Sequence, residues 1–378
     1  MLSKEELIRY NRQIILPDFG VKGQERLKKA SVLVIGAGGL GAPNLLYLTA
    51  AGVGEIGIID FDEVSLSNLH RQVLFTDAEV GAQKAQTAKD RLSQLNPEVS
   101  FQVYDTPLTS ANALEIIEQY VLVIDGSDNL PTRYLVNDAC YFLNKPLVYG
   151  AIFRFEGQVS VFNYTNDQGK TGPNYRDLFP TPPPPNMVPS CSEGGVLGVL
   201  PGIIGSMQAN EAIKIITGIG TTLSGRLFLF DALDMSSRTL NLKASKDNPL
   251  SGEPPRLTQL IDYEAFCSGI EREIDNTEIS PTALQQKLAS GSVYVLDVRE
   301  DYEYEIANIG GTLIPLSQLK DRQSEIPMDQ QVVVMCKAGG RSQKAIDLLE
   351  KEGFDNLINL KGGILAWQKD VDSSLAIY

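Results

Sequence analysis

The stretch Val32-Leu-Val-Ile35-Gly36-Ala-Gly38-Gly39-Leu-Gly41 constrains this chain more than any other, because an apolar run turns on glycines and passes directly into a helix pattern. It predicts a strand, a phosphate loop and a helix start. Glycine is needed where a tight turn demands positive φ and where backbone N–H groups at a helix N-terminus must come close to an anion. A second apolar run, Glu55–Ile59, closes on Asp60, about 20 residues on, where such folds place a carboxylate against a ribose hydroxyl. Together these features specify nucleotide binding in an α/β fold and no particular chemistry.

The chain has 378 residues, more than one hydrophobic core usually serves, so two domains are expected. A net charge of -14 argues against a nucleic-acid partner. No long apolar run predicts a membrane span, and the N-terminus lacks the basic-then-apolar order of a signal peptide, so a cytoplasmic protein is expected. The four cysteines, Cys140, Cys191, Cys267 and Cys336, show no paired spacing, which suits a reducing compartment and leaves room for a reactive thiol.

Ser3-Lys-Glu-Glu6 has capping-box spacing and predicts a helix carrying Arg9 and Arg12 on one face. After Asp60 comes a polar loop, 61–72, rather than the quick crossover of a dehydrogenase. Residues 81–95 read as a helix with Lys84 in its first turn, an unfavourable end for a cation unless an anion lies nearby, and a phosphate would supply one. Strands at 99–104 and 121–124 with a helix at 111–119 between them give the alternation of a parallel sheet. The second of these strands ends in Asp125-Gly-Ser-Asp128-Asn129, where either aspartate could hold Mg²⁺ through one oxygen beside substrate phosphates, and Asp125 could instead cap the helix that follows. Alternation over 155–162 predicts an antiparallel strand, hence a mixed sheet. An irregular stretch, 163–193, follows with a proline run and Cys191 near its end, then a helix at 202–217 and strands near 226–230 and 238–242.

Periodicity is lost after residue 245. The expected organisation is a mixed-sheet α/β domain over 1–245, a linker over 246–278 and a smaller α/β domain over 279–378. In the latter, Ser280-Pro281 starts a helix, and 293–299 and 331–335 read as buried strands. Between the second strand and a helix near Ser342 lies Cys336-Lys337-Ala338-Gly339-Gly340-Arg341. A cysteine among inward-pointing N–H groups at a positive helix end, beside two cations, has a depressed thiol pKa and can stabilise a thiolate or persulfide.

Residues 1–245 resemble the ubiquitin-activating superfamily, most closely the molybdopterin-synthase adenylyltransferases and their thiamine-pathway relatives. The resemblance is carried by Arg9-Tyr-Asn-Arg12, Gly36–Gly41, Asp60-Phe-Asp62, Ser67-Asn68-Leu-His-Arg71-Gln72, Lys84 and Ser127-Asp128-Asn129. It implies a Rossmann-like domain that adenylates the C-terminal glycine carboxylate of a small ubiquitin-like carrier and releases pyrophosphate. It further implies that Gly36, Gly38, Gly39, Gly41, Asp60, Asp62 and Asn129 surround ATP and that Asn68, Arg71 and Lys84 contact the triphosphate. Asp128 would bind Mg²⁺, and Arg12 would reach the ATP site of the other subunit of a homodimer. No general base is required, because the attacking carboxylate is already ionised, and the chain has one histidine, His70. The relatives usually bind a structural zinc with two Cys-x-x-Cys pairs, whereas the aligned positions here are Asn174, Asp177, Asn248 and Ser251, so no zinc is expected.

Residues 279–378 resemble a rhodanese domain, through Asp297-Val-Arg299-Glu, Cys336-x4-Arg341 and Leu360-Lys-Gly-Gly363-Ile-Leu-Ala-Trp367. The two resemblances together imply a persulfide on Cys336, charged by an upstream donor such as a cysteine desulfurase, that converts the acyl-adenylate to a thiocarboxylate. Cys191 falls where the adenylating family often forms a thioester or acyl-disulfide, or else is a small packed residue. Cys140 reads as core and Cys267 as incidental. A flavin or nicotinamide oxidoreductase and a non-catalytic carrier scaffold are the alternatives, and the carrier itself stays open among molybdopterin, thiamine, tRNA-thiolation and cysteine synthesis.

Overall fold

Five parallel strands and three antiparallel ones make one sheet in the order β3-β2-β1-β4-β5-β6-β7-β8. In this computed structural model the described residues are 1–166, 168–183, 195–268, 278–289, 293–328 and 330–376. They fall into two units, Met1–Glu271 and Arg272–Tyr378.

The first unit opens with α1 (Lys4–Arg9), whose capping box forms as predicted: the Glu6 amide donates to Ser3 Oγ at 3.1 Å and the Ser3 amide to Glu6 Oε2 at 2.6 Å. Arg9 and Arg12 do not share a helix, however. The chain leaves helical geometry at Tyr10 and resumes in α2 (Asn11–Ile14). The cause is tertiary: the Tyr10 ring is buried and its hydroxyl accepts from Asn96 Nδ2 at 2.8 Å. α3 (Gly20–Lys29) then leads to β1 (Ser31–Ile35), α4 (Gly41–Ala51) and β2 (Glu55–Ile59). On β1, Val32 and Val34 point into one core and Leu33 and Ile35 into another, which is why its sequence is apolar without alternation.

α5 (Lys84–Leu95), β3 (Ser100–Tyr104), α6 (Ala113–Glu118), β4 (Leu122–Asp125) and α7 (Leu130–Phe142) complete the parallel part with β5 (Leu147–Phe153). β6 (Glu156–Phe162) turns back antiparallel, α8 (Tyr175–Leu178) is short, and α9 (Leu200–Thr217) covers the sheet before β7 (Arg226–Asp231) and β8 (Ser236–Asn241).

The segment 246–268, expected as linker, is instead packed onto this unit. Leu250 and Tyr263 are buried, and Ile261 and Phe266 lie against the core beside α7. The segment ends in α10 (Tyr263–Ser268). Its anchors are isolated apolar residues in a turn-rich stretch, so they show no period. Tyr263 donates its hydroxyl to Asp138 Oδ2 at 2.8 Å, and Asp138 pairs with Arg176 at 2.7 Å, both wholly buried. Burial pushes the Tyr263 hydroxyl pKa far up, and it stays a neutral donor.

The second unit is a five-stranded, all-parallel sheet in the order β11-β10-β12-β13-β9. It comprises β9 (Glu278–Ile279), α11 (Pro281–Ala289), β10 (Tyr294–Asp297), α12 (Asp301–Ile306), β11 (Thr312–Leu313), α13 (Leu319–Arg322), β12 (Val332–Met335), α14 (Gly340–Lys351), β13 (Leu357–Leu360) and α15 (Gly363–Asp370). Ser280 caps α11 as expected, accepting from the Ala283 amide. α14 begins at Gly340, two residues ahead of the predicted start.

Removing Asp138 strands a buried guanidinium, so Asp138→Ala should cost about 3–5 kcal/mol in denaturant unfolding of the first unit. Tyr263→Phe loses one hydrogen bond and should cost about 1 kcal/mol in the same measurement.

Candidate functional site

The carboxyl ends of the parallel strands open into a cavity of about 420 Å³ whose lining includes Gly36, Gly38, Gly39, Asp60, Asp62, Arg71, Lys84, Asp128 and Asn129. This is where ligands bind in open parallel sheets. The glycine loop explains itself sterically: Gly36 has φ +86°, and a Cβ on Gly41 would lie 1.8 Å from the Gly36 carbonyl oxygen. Gly41 thus closes the turn from below and does not itself line the cavity.

Asp60 is first a clamp on the backbone. Its Oδ2 accepts from the Ala37 amide at 2.7 Å and its Oδ1 from the Asp62 amide at 2.9 Å. Burial raises its pKa, and Lys84 opposes the rise. Each oxygen keeps capacity to accept a further hydrogen bond, and Asp60 lines the cavity. Lys84 is buried, and a protein anion meets it at its helix start: Nζ donates to Asp62 Oδ2 at 2.8 Å. Asp62 itself is well exposed, so this pair can open toward a ligand.

Asp125 does not cap α7. It is buried, its Oδ1 accepts from the Ser127 amide, and burial raises its pKa. The cap on α7 is Asn129, whose Oδ1 accepts from the Thr132 amide at 2.9 Å. Of the two aspartates it is Asp128, three residues beyond the strand end, that lines the cavity. Arg71 also lines it, with Nη1 donating to the Ser67 carbonyl at 3.1 Å. Among the described residues, Asn68 and Arg12 do not line it; Arg12 is exposed on α2.

Arg133 is a lining cation that sequence reasoning missed. Its guanidinium lies 5.9 Å from the Tyr149 ring centroid and donates to the Ser127 carbonyl. The available signal was its place one turn after the Asn129 cap, facing the same way. Glu264 of α10 also lines the cavity, from a segment that had read as linker.

The positions aligned with the relatives' zinc cysteines meet, but in a knot of amides. Asn248 Nδ2 donates to Asn174 Oδ1 at 3.0 Å, Asn174 Nδ2 to Ser251 Oγ at 3.4 Å, and Asn248 Oδ1 accepts from the Leu250 amide. Asp177 accepts from the Asn174 and Ser245 amides at 2.8 and 2.7 Å. These donors and acceptors are occupied by one another.

In the second unit Cys336 sits at the end of β12, buried, with its sulfur accepting from the Gly339 amide at 3.1 Å and from Ser342 Oγ at 3.3 Å. Burial works against ionisation there, yet the Ser342 hydroxyl and the amides of Ser342, Ala338 and Gly339 outweigh it and hold the thiol below its ordinary value. Arg341 does not supply this effect: it forks onto Glu303 at 2.5 and 2.6 Å. The loop's carbonyls are held elsewhere, the Cys336 oxygen accepting from Ile364 N at 2.9 Å and the Lys337 oxygen from Leu365 N at 3.2 Å, both in the first turn of α15. Gly363 permits this approach. Its φ is +59°, and a Cβ would stand 2.4 Å from the Cys336 oxygen. Among the other thiols, burial drives Cys140 far up and pushes Cys267 up to about 11. Cys191 lies outside the described residues.

Comparison with known proteins agrees with both units. The family model described as ThiF family matches residues 10–251, and that described as Rhodanese-like domain matches 280–370. The probable adenylyltransferase/sulfurtransferase MoeZ of Mycobacterium tuberculosis is 48% identical over 385 residues, covering 100% of this chain and 96% of that protein. The sulfur carrier protein adenylyltransferase of Thermus thermophilus is 57% identical over 265 residues, covering 70% of this chain and 98% of its own. Among solved structures, that of E. coli MccB shares the fold, with a TM-score of 0.57 at 22% identity over 69% of this chain and 75% of that one.

A side chain at position 363 would push the Cys336 and Lys337 carbonyls off α15. Gly363→Ala should therefore slow alkylation of Cys336 at neutral pH by about tenfold, the effect of a one-unit rise in thiol pKa, while Cys267 reacts as before.

Proposed function

The chain belongs to the ThiF family, with a rhodanese-like domain behind it, and on that premise we propose that its first unit uses ATP to activate the C-terminal Gly-Gly carboxylate of a small ubiquitin-like sulfur-carrier protein. The observation that carries this is the convergence of Arg71, Lys84 and Asp128 above Gly38 in one cavity. The carboxylate attacks the α-phosphorus, the bond to the β-phosphate oxygen breaks, and pyrophosphate leaves. Two anions must meet, so the work of the site is positioning and charge neutralisation. Amides of the glycine loop, Arg71, Arg133 and Lys84 bind and orient the phosphates, with Lys84 passing from Asp62 to the nucleotide. Asp60 is placed for the ribose. Asp128, a hard oxygen donor free of the structural tasks that occupy Asp125, would hold Mg²⁺, which supplies charge neutralisation at the phosphates when bound.

Arg12, outside its own cavity, would serve that of a partner in a homodimer. Its exposed neighbours Ile8, Ile15 and Leu16 give that face the apolar character such an interface needs. The amide knot supports a fold without structural zinc. No described helix is long and apolar enough to cross a membrane, and a chemistry of free thiols fits the cytoplasm.

Cys336 would carry the sulfur as a persulfide received from an upstream donor such as a cysteine desulfurase. The terminal sulfur attacks the acyl carbon, AMP leaves, and an acyl-disulfide to Cys336 results. Attack by the Cys191 thiol on the Cys336 sulfur would release the thiocarboxylate and leave a Cys191–Cys336 disulfide for reduction by a cellular thiol. The partner is then identified by co-purification of a small protein ending in Gly-Gly.

Asp128→Ala should lower carrier-dependent exchange of labelled pyrophosphate into ATP at least about a hundredfold. Cys336→Ala should keep that exchange and lose thiocarboxylate, read by mass spectrometry of the carrier; an unaffected product would remove the sulfur-transfer role of Cys336. Dialysis against a strong chelator should leave the thermal transition unmoved, and Asn248→Ala should lower stability by about 1–3 kcal/mol by leaving the knot half-satisfied.

A further inference from the structure

Ser342, in the first turn of α14, is fully buried and holds one hydroxyl hydrogen among three acceptors. Its Oγ lies 2.7 Å from Asn359 Oδ1, 2.9 Å from the Gly339 carbonyl and 3.3 Å from Cys336 Sγ. The Gly339 carbonyl already accepts from Asn359 Nδ2 and from the Gln343 amide, both within 3.2 Å. Asn359 Nδ2 also donates to Gln343 Oε1 at 3.2 Å, and its two donations orient the amide, turning Oδ1 toward Ser342, its only side-chain or loop donor among the described residues. The contest for the hydrogen is therefore between Asn359 Oδ1 and the sulfur. Asn359 is held for this by β13, where it registers with Val334 of β12, two residues before Cys336.

We propose that Ser342 and Asn359 are positioning residues that form a hydrogen-bond switch on Cys336: the hydroxyl points to Asn359 while the sulfur is uncharged and turns to the sulfur when it becomes an anion. The Ser342, Ala338 and Gly339 amides are fixed donors that every variant keeps, whereas the hydroxyl rotates. An acceptor only 2.7 Å away opposes the turn, so Asn359 limits how far the anion is stabilised. That limit matters because nucleophilicity falls as thiol pKa falls, and the most effective attacking sulfur has a pKa near ambient pH. The inference rests on the reading of Cys336 as the sulfur-bearing residue.

The test follows Cys336 alkylation by iodoacetamide against pH in the full-length protein, quantified on the Cys336 peptide by mass spectrometry. Lys337 on the loop, the Arg341–Glu303 pair, the Asp297–Arg299 pair at the end of β10 and Lys361 after β13 are the charged groups around it, and every variant leaves them in place. Ser342→Ala removes the donor and should raise the midpoint by about one unit. Ser342→Thr keeps the hydroxyl and should restore the original midpoint. Asn359→Leu removes the competitor and should lower the midpoint, and the double variant should behave as Ser342→Ala. Where Asn359→Leu does not fold, Asn359→Ala carries the same expected direction. Two single variants that both raise the midpoint, or that both leave it unmoved, overturn the switch. These midpoints require neither donor nor carrier, so they stand apart from the persulfide reading, which thiocarboxylate formation tests.

Discussion

Asp60 is the tie on which the adenylation unit depends. One oxygen holds the Ala37 amide inside the glycine loop, and the other holds the Asp62 amide at the start of the next loop. Asp62 in turn receives Lys84 through both its carbonyl and its carboxylate. A single buried carboxylate thereby sets the spacing between the glycine loop and the loop that holds the Lys84 ammonium. Burial disfavours its charge, and the two amides and Lys84 sustain it.

The two units solve one problem twice. Each must present backbone N–H groups to an anion, which requires that nearby carbonyls point away and find donors. In the glycine loop the tight turn carries Gly36 and Gly41 into contact, and the Gly38 carbonyl accepts from Ala42 inside α4. In the Cys336 loop a separate helix, α15, supplies the donors, so the cradle has a second helix end behind it. Cys336 is acidified by local hydrogen bonds rather than by cations, since Arg341 is engaged with Glu303.

What was legible in the chain was whatever depends on neighbours in sequence. The strand–glycine–helix signature, the Ser3 capping box, the order of strands and helices and the Cys336 loop all rest on residues within a few positions of one another. What escaped depends on distant partners. Tyr10 breaks a well-capped helix because Asn96 anchors its hydroxyl. Asn359 meets Ser342 only because β13 pairs beside β12. Residues 246–268 lacked a period because three or four scattered anchors, Tyr263 foremost, do the packing that a periodic face does elsewhere. Of the proposed nucleotide residues, Arg12, Gly41 and Asn68 do not line the cavity of their own chain, and Arg133 joins it through the geometry of α7.

The amide knot at Asn174 and Asn248 has a chemical consequence of its own. Sulfane sulfur, the cargo of sulfurtransferases, is a reagent that oxidises and displaces thiolate ligands. Carboxamides and a hydroxyl offer that reagent nothing to attack. The segments around Asn174 and Asn248 are thus fastened by groups inert to sulfane sulfur.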